Sequence, residues 1–193
     1  ADADDSSPAD SRILDGFTFD DIDLVSFTQY RQLFSSVHAT HPWLAESDIK
    51  LLTKLGGYRY DRATKKEGFT LAGLLMFGKY SSIIDPECAP NFFPDYRENL
   101  STDSNIRWTD RIIPDGTREM NLFQFYLLVA PRLSSTLPKP FNLKGDTRID
   151  EGPTQVAMRE AFVNTLIHAD YSTEGTILIE QKQDKYTFTN PGN

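Results

Sequence analysis

The order of patterns in residues 154–193 constrains the fold more than any other feature of this sequence. Apolar side chains recur at helical spacing through residues 154–169, and the alternation in residues 176–181 is typical of a strand with one buried face. A polar turn then leads into a second strand pattern at Tyr186–Thr189. A helix followed by a hairpin buries its apolar side by packing one layer on another, so the sequence predicts an α+β fold.

The helical segment carries a polar stripe. At about 100° per residue, Glu160, Asn164 and His168 lie on one narrow face. No lysine shares that face, although an ordinary solvated face normally carries long charged side chains. The opposite arc is predicted to be buried and consists of Met158, Phe162, Leu166 and Ala169.

These three side chains would suit a nucleotide site, and we expect them to project together into a cavity. Glu160 could orient or deprotonate a water molecule, and Asn164 could give Mg²⁺ an amide oxygen. His168 could contact a phosphate or a substrate. The alternative is an amphipathic helix whose polar stripe faces water or a neighbouring loop, because polar residues at i, i+4 and i+8 are common.

The run MREAFVNTLIHADYS, followed by FTNPG, resembles the RecG-C-terminal-like ATPase domain of bacterial transcriptional regulators. That domain is part of the GHKL superfamily, with DNA gyrase, certain heat-shock chaperones, histidine kinases and mismatch-repair ATPases. The resemblance implies the start of a two-layer sandwich that binds ATP and Mg²⁺, and a DNA-binding domain of the AlbA-like, Schlafen-related type upstream. The segment TLAGLLMFG, residues 70–78, resembles the region that precedes the ATPase-like portion in the same regulators.

Under this resemblance the residues take specific roles. Glu160 would be the general base or water-orienting group, Asn164 the Mg²⁺ ligand, and His168 and Asp170 phosphate-side groups. Residues 190–192, with Asn190 and Gly192, would match the first glycine box.

The chain departs from the family pattern in two respects. Asn190 stands where better-studied members have an aspartate that accepts from the adenine amino group; an amide oxygen still accepts, but without the charge. The ATP lid and second glycine box would follow residue 193. We therefore expect the chain as given to be inactive as an ATPase.

Residues 73–79 have the spacing of a phosphate-binding P-loop, with Gly73, Gly78 and Lys79 in register. Tyr80 follows where a serine or threonine should bind Mg²⁺, and large apolar side chains separate the glycines. A phosphate cradle needs small residues and free backbone amides. The segment is therefore predicted to be part of a core.

The other elements follow from periodicity and breakers. We predict a helix from Asp23, capped by Asp21 or Asp23, and a second from near Ser47. The remaining predictions are a loop or edge hairpin at 58–68, strands at 92–98 and 106–113, an apolar helix at 121–133 that ends near Pro131 or soon after, and an irregular connection at 137–150. In outline, residues 1–15 are an acidic linker, 16–112 a linking α+β region, and 113–193 the N-terminal portion of the ATPase-type domain.

The net charge of −8 argues against a general nucleic-acid footprint. Locally, Arg97, Arg107, Trp108 and Arg111 place basic and aromatic groups together, as in a single-strand platform. Acidic residues interleave with them, which favours paired surface charges on a sheet.

The lone Cys88 excludes an intrachain disulfide and is expected to be an inert thiol, and the three histidines show no zinc spacing. No apolar run approaches a membrane span, so we predict a cytoplasmic protein without membrane contact. Three functions remain open. One is a nucleotide-binding module of a regulator linked to DNA by its upstream domain. Another is a non-catalytic interaction or dimerisation region, which would make a homo-oligomer. The third is direct DNA binding local to residues 97–111, which the negative net charge opposes.

Overall fold

The computed structural model describes residues 9–137, 142–144, 147–149 and 152–192. It contains both helices and sheets, so the predicted α+β class is confirmed. The helices are α1 (Leu24–Val37), α2 (Asp48–Lys54), α3 (Leu71–Phe77), α4 (Tyr80–Ile83), α5 (Leu122–Ser135) and α6 (Pro153–Ile167). The strands are β1 (Tyr58–Tyr60), β2 (Glu67–Phe69), β3 (Asp95–Asn99), β4 (Asp110–Ile112), β5 (Asn142–Lys144), β6 (Thr147–Ile149), β7 (Leu178–Lys182) and β8 (Tyr186–Thr189).

A mixed sheet has the strand order β4-β3-β7-β8. Its central pair, β3 and β7, is parallel, and each outer strand is antiparallel to its neighbour. The strands β1 and β2 form an antiparallel hairpin, as do β5 and β6.

The chain divides into two compact units. The first is Ala1–Pro90 with Glu119–Gln124, and the second is Asn91–Arg118 with Phe125–Asn193. The second unit contains the four-stranded sheet, because the parallel pairing with β7 draws β3 and β4 to the C-terminal strands.

In the first unit, α1 begins where the sequence predicts. Asp23 is its N-cap, and the carboxylate accepts from the Ser26 backbone N–H at 3.1 Å. The ring of Phe27 lies edge-on to Phe77 of α3, 5.2 Å between centroids. The buried Asn121 amide donates to the Ser26 hydroxyl at 3.0 Å and to the Gly78 carbonyl at 3.1 Å, so the polar groups inside this unit are paired.

The helix α3 is part of the core, as predicted, and is not a phosphate cradle. Leu74 is fully buried, Leu75 is 2% exposed and Phe77 is 3% exposed. A side chain on Gly73 would clash with the backbone carbonyl of Gly57, which shows how closely the helix approaches that loop. Glycine at position 73 therefore serves helix packing.

In the second unit, α5 and α6 pack on one face of the sheet. Phe162 of α6 contacts Phe125 of α5 at 6.1 Å and Phe188 of β8 at 6.5 Å, centroid to centroid. Ile179 and Tyr96, on the strands beneath, are completely buried. No residue in the range 121–130 is exposed, which confirms the prediction of an apolar helix covered on nearly all sides.

The helix α5 ends at Ser135, soon after Pro131 as predicted, and buried Leu133 lies in its last turn. The sequence predictions fail at two points elsewhere. The connection at 137–150 was expected to be irregular, yet its described residues form the β5-β6 hairpin. Part of the expected acidic linker is packed, since Leu14 is 4% exposed and donates its N–H to Phe69. Residues 1–8 lie outside the described residues.

Candidate functional site

The polar stripe of α6 is open to solvent. Glu160, Asn164 and His168 are all exposed, while Phe162, Thr165 and Leu166 are buried. The predicted division of this helix into an apolar and a polar face is thus confirmed at Phe162 and Leu166. The expectation that the stripe enters a cavity is wrong for the described residues, because α6 packs against other elements on one side only.

The end of α6 is fixed by backbone hydrogen bonds. His168 is the C-cap, and its N–H donates to the Asn164 carbonyl at 3.0 Å. The Tyr171 hydroxyl donates to the Leu166 carbonyl at 2.5 Å, and burial raises the pKa of that phenol. These contacts satisfy carbonyls that a helix end would otherwise leave without partners.

Asp170 forms a turn directly after the helix. One of its carboxylate oxygens accepts from the Ser172 hydroxyl at 2.6 Å and from the Ser172 backbone N–H at 2.9 Å. These hydrogen bonds favour the ionised form and lower the pKa of Asp170. The exposed carboxylate is therefore held in one orientation and remains charged at neutral pH.

The segment after β8 lies against the end of α6. The Asp170 backbone N–H donates to the Pro191 carbonyl at 2.7 Å. A carbon added to Gly192 would lie 3.8 Å from the His168 carbonyl oxygen. A carbon added to Gly175 would lie only 2.6 Å from the Pro191 ring, so glycine at 175 permits this close approach.

The structure therefore brings together some of the predicted site residues and separates others. His168, Asp170 and Gly192 adjoin one another, with Asn190 on the same segment as Gly192. Asn164 lies one helical turn from His168, and Glu160 lies about 12 Å from His168 along the helix axis. The residues at the end of the helix, His168, Asp170, Asn190 and Gly192, could contact a phosphate or a base. Asn164 and Glu160 could reach a ligand that extends along the helix.

A small pocket beside this junction contains residues that the sequence reasoning missed. It is formed by Phe92 and Ile177, which are buried, together with Tyr171, Gly175 and Pro191. The only sequence signals were the aromatic residue after the HAD run and the glycine in the turn at 172–175. Neither signal shows that the chain before β3 would reach the end of α6.

Metal binding by the protein alone is not indicated. No cluster of three or more His, Cys, Asp or Glu side chains that could hold an ion occurs in the described ranges. Mg²⁺ usually binds through one or two protein groups, phosphate oxygens and water, so exposed Asn164 fits that donor set without a dedicated cage.

Cys88 is buried, as expected for an inert thiol. Its side chain is 5% exposed, and burial raises the pKa of the thiol to about 11. None of the helices in the described part of the chain combines the length and hydropathy that a transmembrane segment requires.

Comparison with known proteins gives a fold but no activity. A family described only as a domain of unknown function, DUF8451, matches residues 1–95. No curated protein matches the chain. The crystal structure of the DIP2311 protein from Corynebacterium diphtheriae is similar in fold, with a TM-score of 0.63 and 16% sequence identity over 97% of this chain. This chain spans 34% of the length of that protein.

Proposed function

We propose that this chain carries the nucleotide-binding portion of a DNA-linked regulator, and that an adenine nucleotide with Mg²⁺ binds along the polar face of α6. The observation that carries the proposal is the contact between the end of α6 and the segment 190–192. The Asp170 N–H bonded to the Pro191 carbonyl at 2.7 Å places a glycine-containing turn beside the exposed stripe. A glycine-containing turn next to a helix bearing Glu, Asn and His is the combination on which the proposal rests.

Each residue has a defined part in this proposal. Asn164 offers an amide oxygen to the cation, which when bound would neutralise charge on the phosphates. His168 and the turn at Gly192 contact the phosphate side, and Asn190 accepts a hydrogen bond from the base. Glu160 is placed to orient water, and it adds negative charge near the cation. The resemblance of residues 158–172 and 188–192 to RecG-C-terminal-like ATPases supports these assignments.

The open position of the stripe limits what the described residues do alone. Glu160 and Asn164 are exposed, so they do not exclude water from a reacting phosphate. We therefore propose binding for this chain and do not assign hydrolysis to the described residues. The apolar residues of α5 suggested a homo-oligomer. Because those residues are covered within the chain, they give no further support for it, and the homo-oligomer stays a prediction.

The test is the affinity of this 193-residue chain for a fluorescent adenine nucleotide, titrated with and without Mg²⁺. We expect Asn164→Ala to weaken the Mg²⁺-dependent affinity by about tenfold, the loss typical of groups that support a bound metal. Thr154→Ala, at an exposed position on the first turn of α6, is the control and should bind as the parent does. Equal affinity in both variants, or no binding by the parent, would contradict the proposal.

A further inference from the structure

The sheet of the second unit has a second face, opposite the one on which α5 and α6 pack. Side chains alternate along a strand, so Tyr96 and Glu98 point to the helix side of β3, while Asp95, Arg97 and Asn99 point to the other. The register places Arg111 of β4 opposite Arg97. On the β7 side, Glu180 lies opposite Arg97 and Lys182 opposite Asn99. We call this set of residues the outer face; it consists of Asp95, Arg97, Asn99, Arg111, Glu180 and Lys182.

A buried carboxylate fixes two of the arginines. Asp95 is 1% exposed, and its oxygens accept from Arg97 Nε at 2.8 Å and from Arg111 Nε and Nη2 at 3.1 and 2.9 Å. Each guanidinium has five N–H donors in a rigid plane, so this pairing uses one side and leaves donors on the other. The Arg97 and Arg111 side chains, 29% and 36% exposed, are thus pre-oriented cations at the surface.

Three guanidinium groups surround one indole ring. The Arg97, Arg107 and Arg111 carbons lie 5.2, 5.1 and 5.9 Å from the Trp108 ring centroid. Trp108 is half-buried and Arg107 is exposed. Within the residues that the structure describes, Arg107 has no carboxylate at ion-pair distance.

Neighbouring acids do not cancel this positive charge. Asp95 pairs with Arg97 and Arg111, and Arg107 adds a third cation, so two positive charges remain around the ring. Asp110 is paired with Arg132 at 2.6 Å. Glu98 keeps its charge, because its partners Tyr96 and Thr109 are neutral hydroxyls, but it lies on the helix side of β3. On the outer face, Lys182 offsets Glu180. The predicted pairing of surface charges is therefore real at Asp95, and a local cationic surface remains beside it.

We propose that the outer face, with Trp108 and Arg107 at its edge, binds single-stranded nucleic acid. Phosphates would bind the outward N–H groups of the arginines, and a base would stack on the indole or on a guanidinium plane. An open sheet face offers no helix for the groove of a duplex. The overall charge of −8 opposes polyanions, so binding would be local and salt-sensitive. This site is separate from the nucleotide site on α6.

The test uses the intrinsic fluorescence of the chain. It has two tryptophans, so Trp43→Phe leaves Trp108 as the sole indole reporter. Titration with a short oligothymidylate at about 50 mM salt should quench that fluorescence, and the apparent affinity should fall steeply as salt increases. Unchanged fluorescence at saturating oligonucleotide would overturn the proposal.

Charge-matched variants locate the site. We expect Arg107→Gln to weaken binding at least about fivefold and to reduce the salt slope by nearly one phosphate contact. Arg62→Gln, an exposed arginine in the β1-β2 loop of the first unit, removes the same charge and should bind normally. Equal losses in the two variants would contradict a local site.

Two further measurements distinguish this site from the polar face of α6 and from a surface that attracts any polyanion. Asn164→Ala should bind oligothymidylate as the parent does, whatever its effect on nucleotide affinity. Oligoglutamate of equal charge should compete poorly, because it lacks bases to stack on Trp108. Equally strong competition would show that the surface recognises acidic chains in general and would overturn the assignment.

Discussion

At the scale of single residues, backbone crowding decides which positions tolerate change. Gly73 lies inside α3 where alanine would normally be favoured, by about 1 kcal/mol of helix propensity. The site that a Cβ would occupy is taken by the Gly57 backbone, which cannot rotate aside as a side chain can. Packing therefore outweighs propensity at this position.

We expect Gly73→Ala to lower the free energy of unfolding by about 2 kcal/mol, the net of overpacking and the gain in propensity. The measurement is urea unfolding followed by circular dichroism. Ala72→Ser, which adds one atom at the neighbouring half-buried position, is the control and should change stability far less. A Gly73→Ala protein as stable as the parent would show that the Gly57 loop moves away without cost.

At the scale of elements, local signals predicted well where helices begin. The start of α1 depends on one side chain, since Asp23 accepts from both the backbone N–H and the hydroxyl of Ser26. A cap of this kind depends on residues three apart and can be read from sequence.

Replacing the α1 cap should destabilise the first unit. We expect Asp23→Ala to cost about 1 kcal/mol, because the backbone N–H and the side-chain hydroxyl of Ser26 both lose their acceptor. Asp20→Ala removes the same charge from an exposed position just before the helix and should cost little. Comparison of their urea midpoints tests whether the cap, and not the acidic charge, stabilises the helix.

At the scale of the whole molecule, the stability should fall in alkali. Burial raises the pKa of Tyr171 above its ordinary value of 10.0. A raised pKa in the folded state contributes stability that is fully present below the unfolded pKa of about 10. Above that pH the unfolded chain ionises first, so the contribution declines until the folded phenol also ionises.

We expect the parent to lose about 0.8 kcal/mol more than Tyr171→Phe between pH 8 and about pH 10.5, since only the parent has this phenol to ionise on unfolding. The free energy of unfolding of each protein is compared between the two pH values. The contribution of the Tyr171 hydrogen bond, which the variant lacks at both pH values, therefore cancels. Tyr60→Phe, whose parent side chain is 53% exposed, should decline with pH as the parent does. Parallel declines in the parent and Tyr171→Phe would refute the assignment.

Much of the local structure could be predicted from sequence, because caps, breakers and periodicity act over a few residues. The predicted strand Tyr186–Thr189 agrees with β8, and the core role of residues 71–77 follows from apolar side chains between the glycines. The polar face of α6 was also identified, since helical spacing alone places Glu160, Asn164 and His168 together. Its exposure could not be predicted, because exposure depends on which other elements pack nearby.

The sequence by itself determined the α+β class, the start of α1 and the two faces of α6, all of which depend on side chains within a few positions of each other. Only the tertiary structure decided that β3 pairs in parallel with β7, more than eighty residues away. The antiparallel pairing of β3 with β4 puts Arg97 and Arg111 around Trp108, and the packing of Pro191 on Gly175 brings the last turn to the end of α6. Contacts between distant segments depend on burial summed over a whole packed unit, and no local pattern encodes that sum.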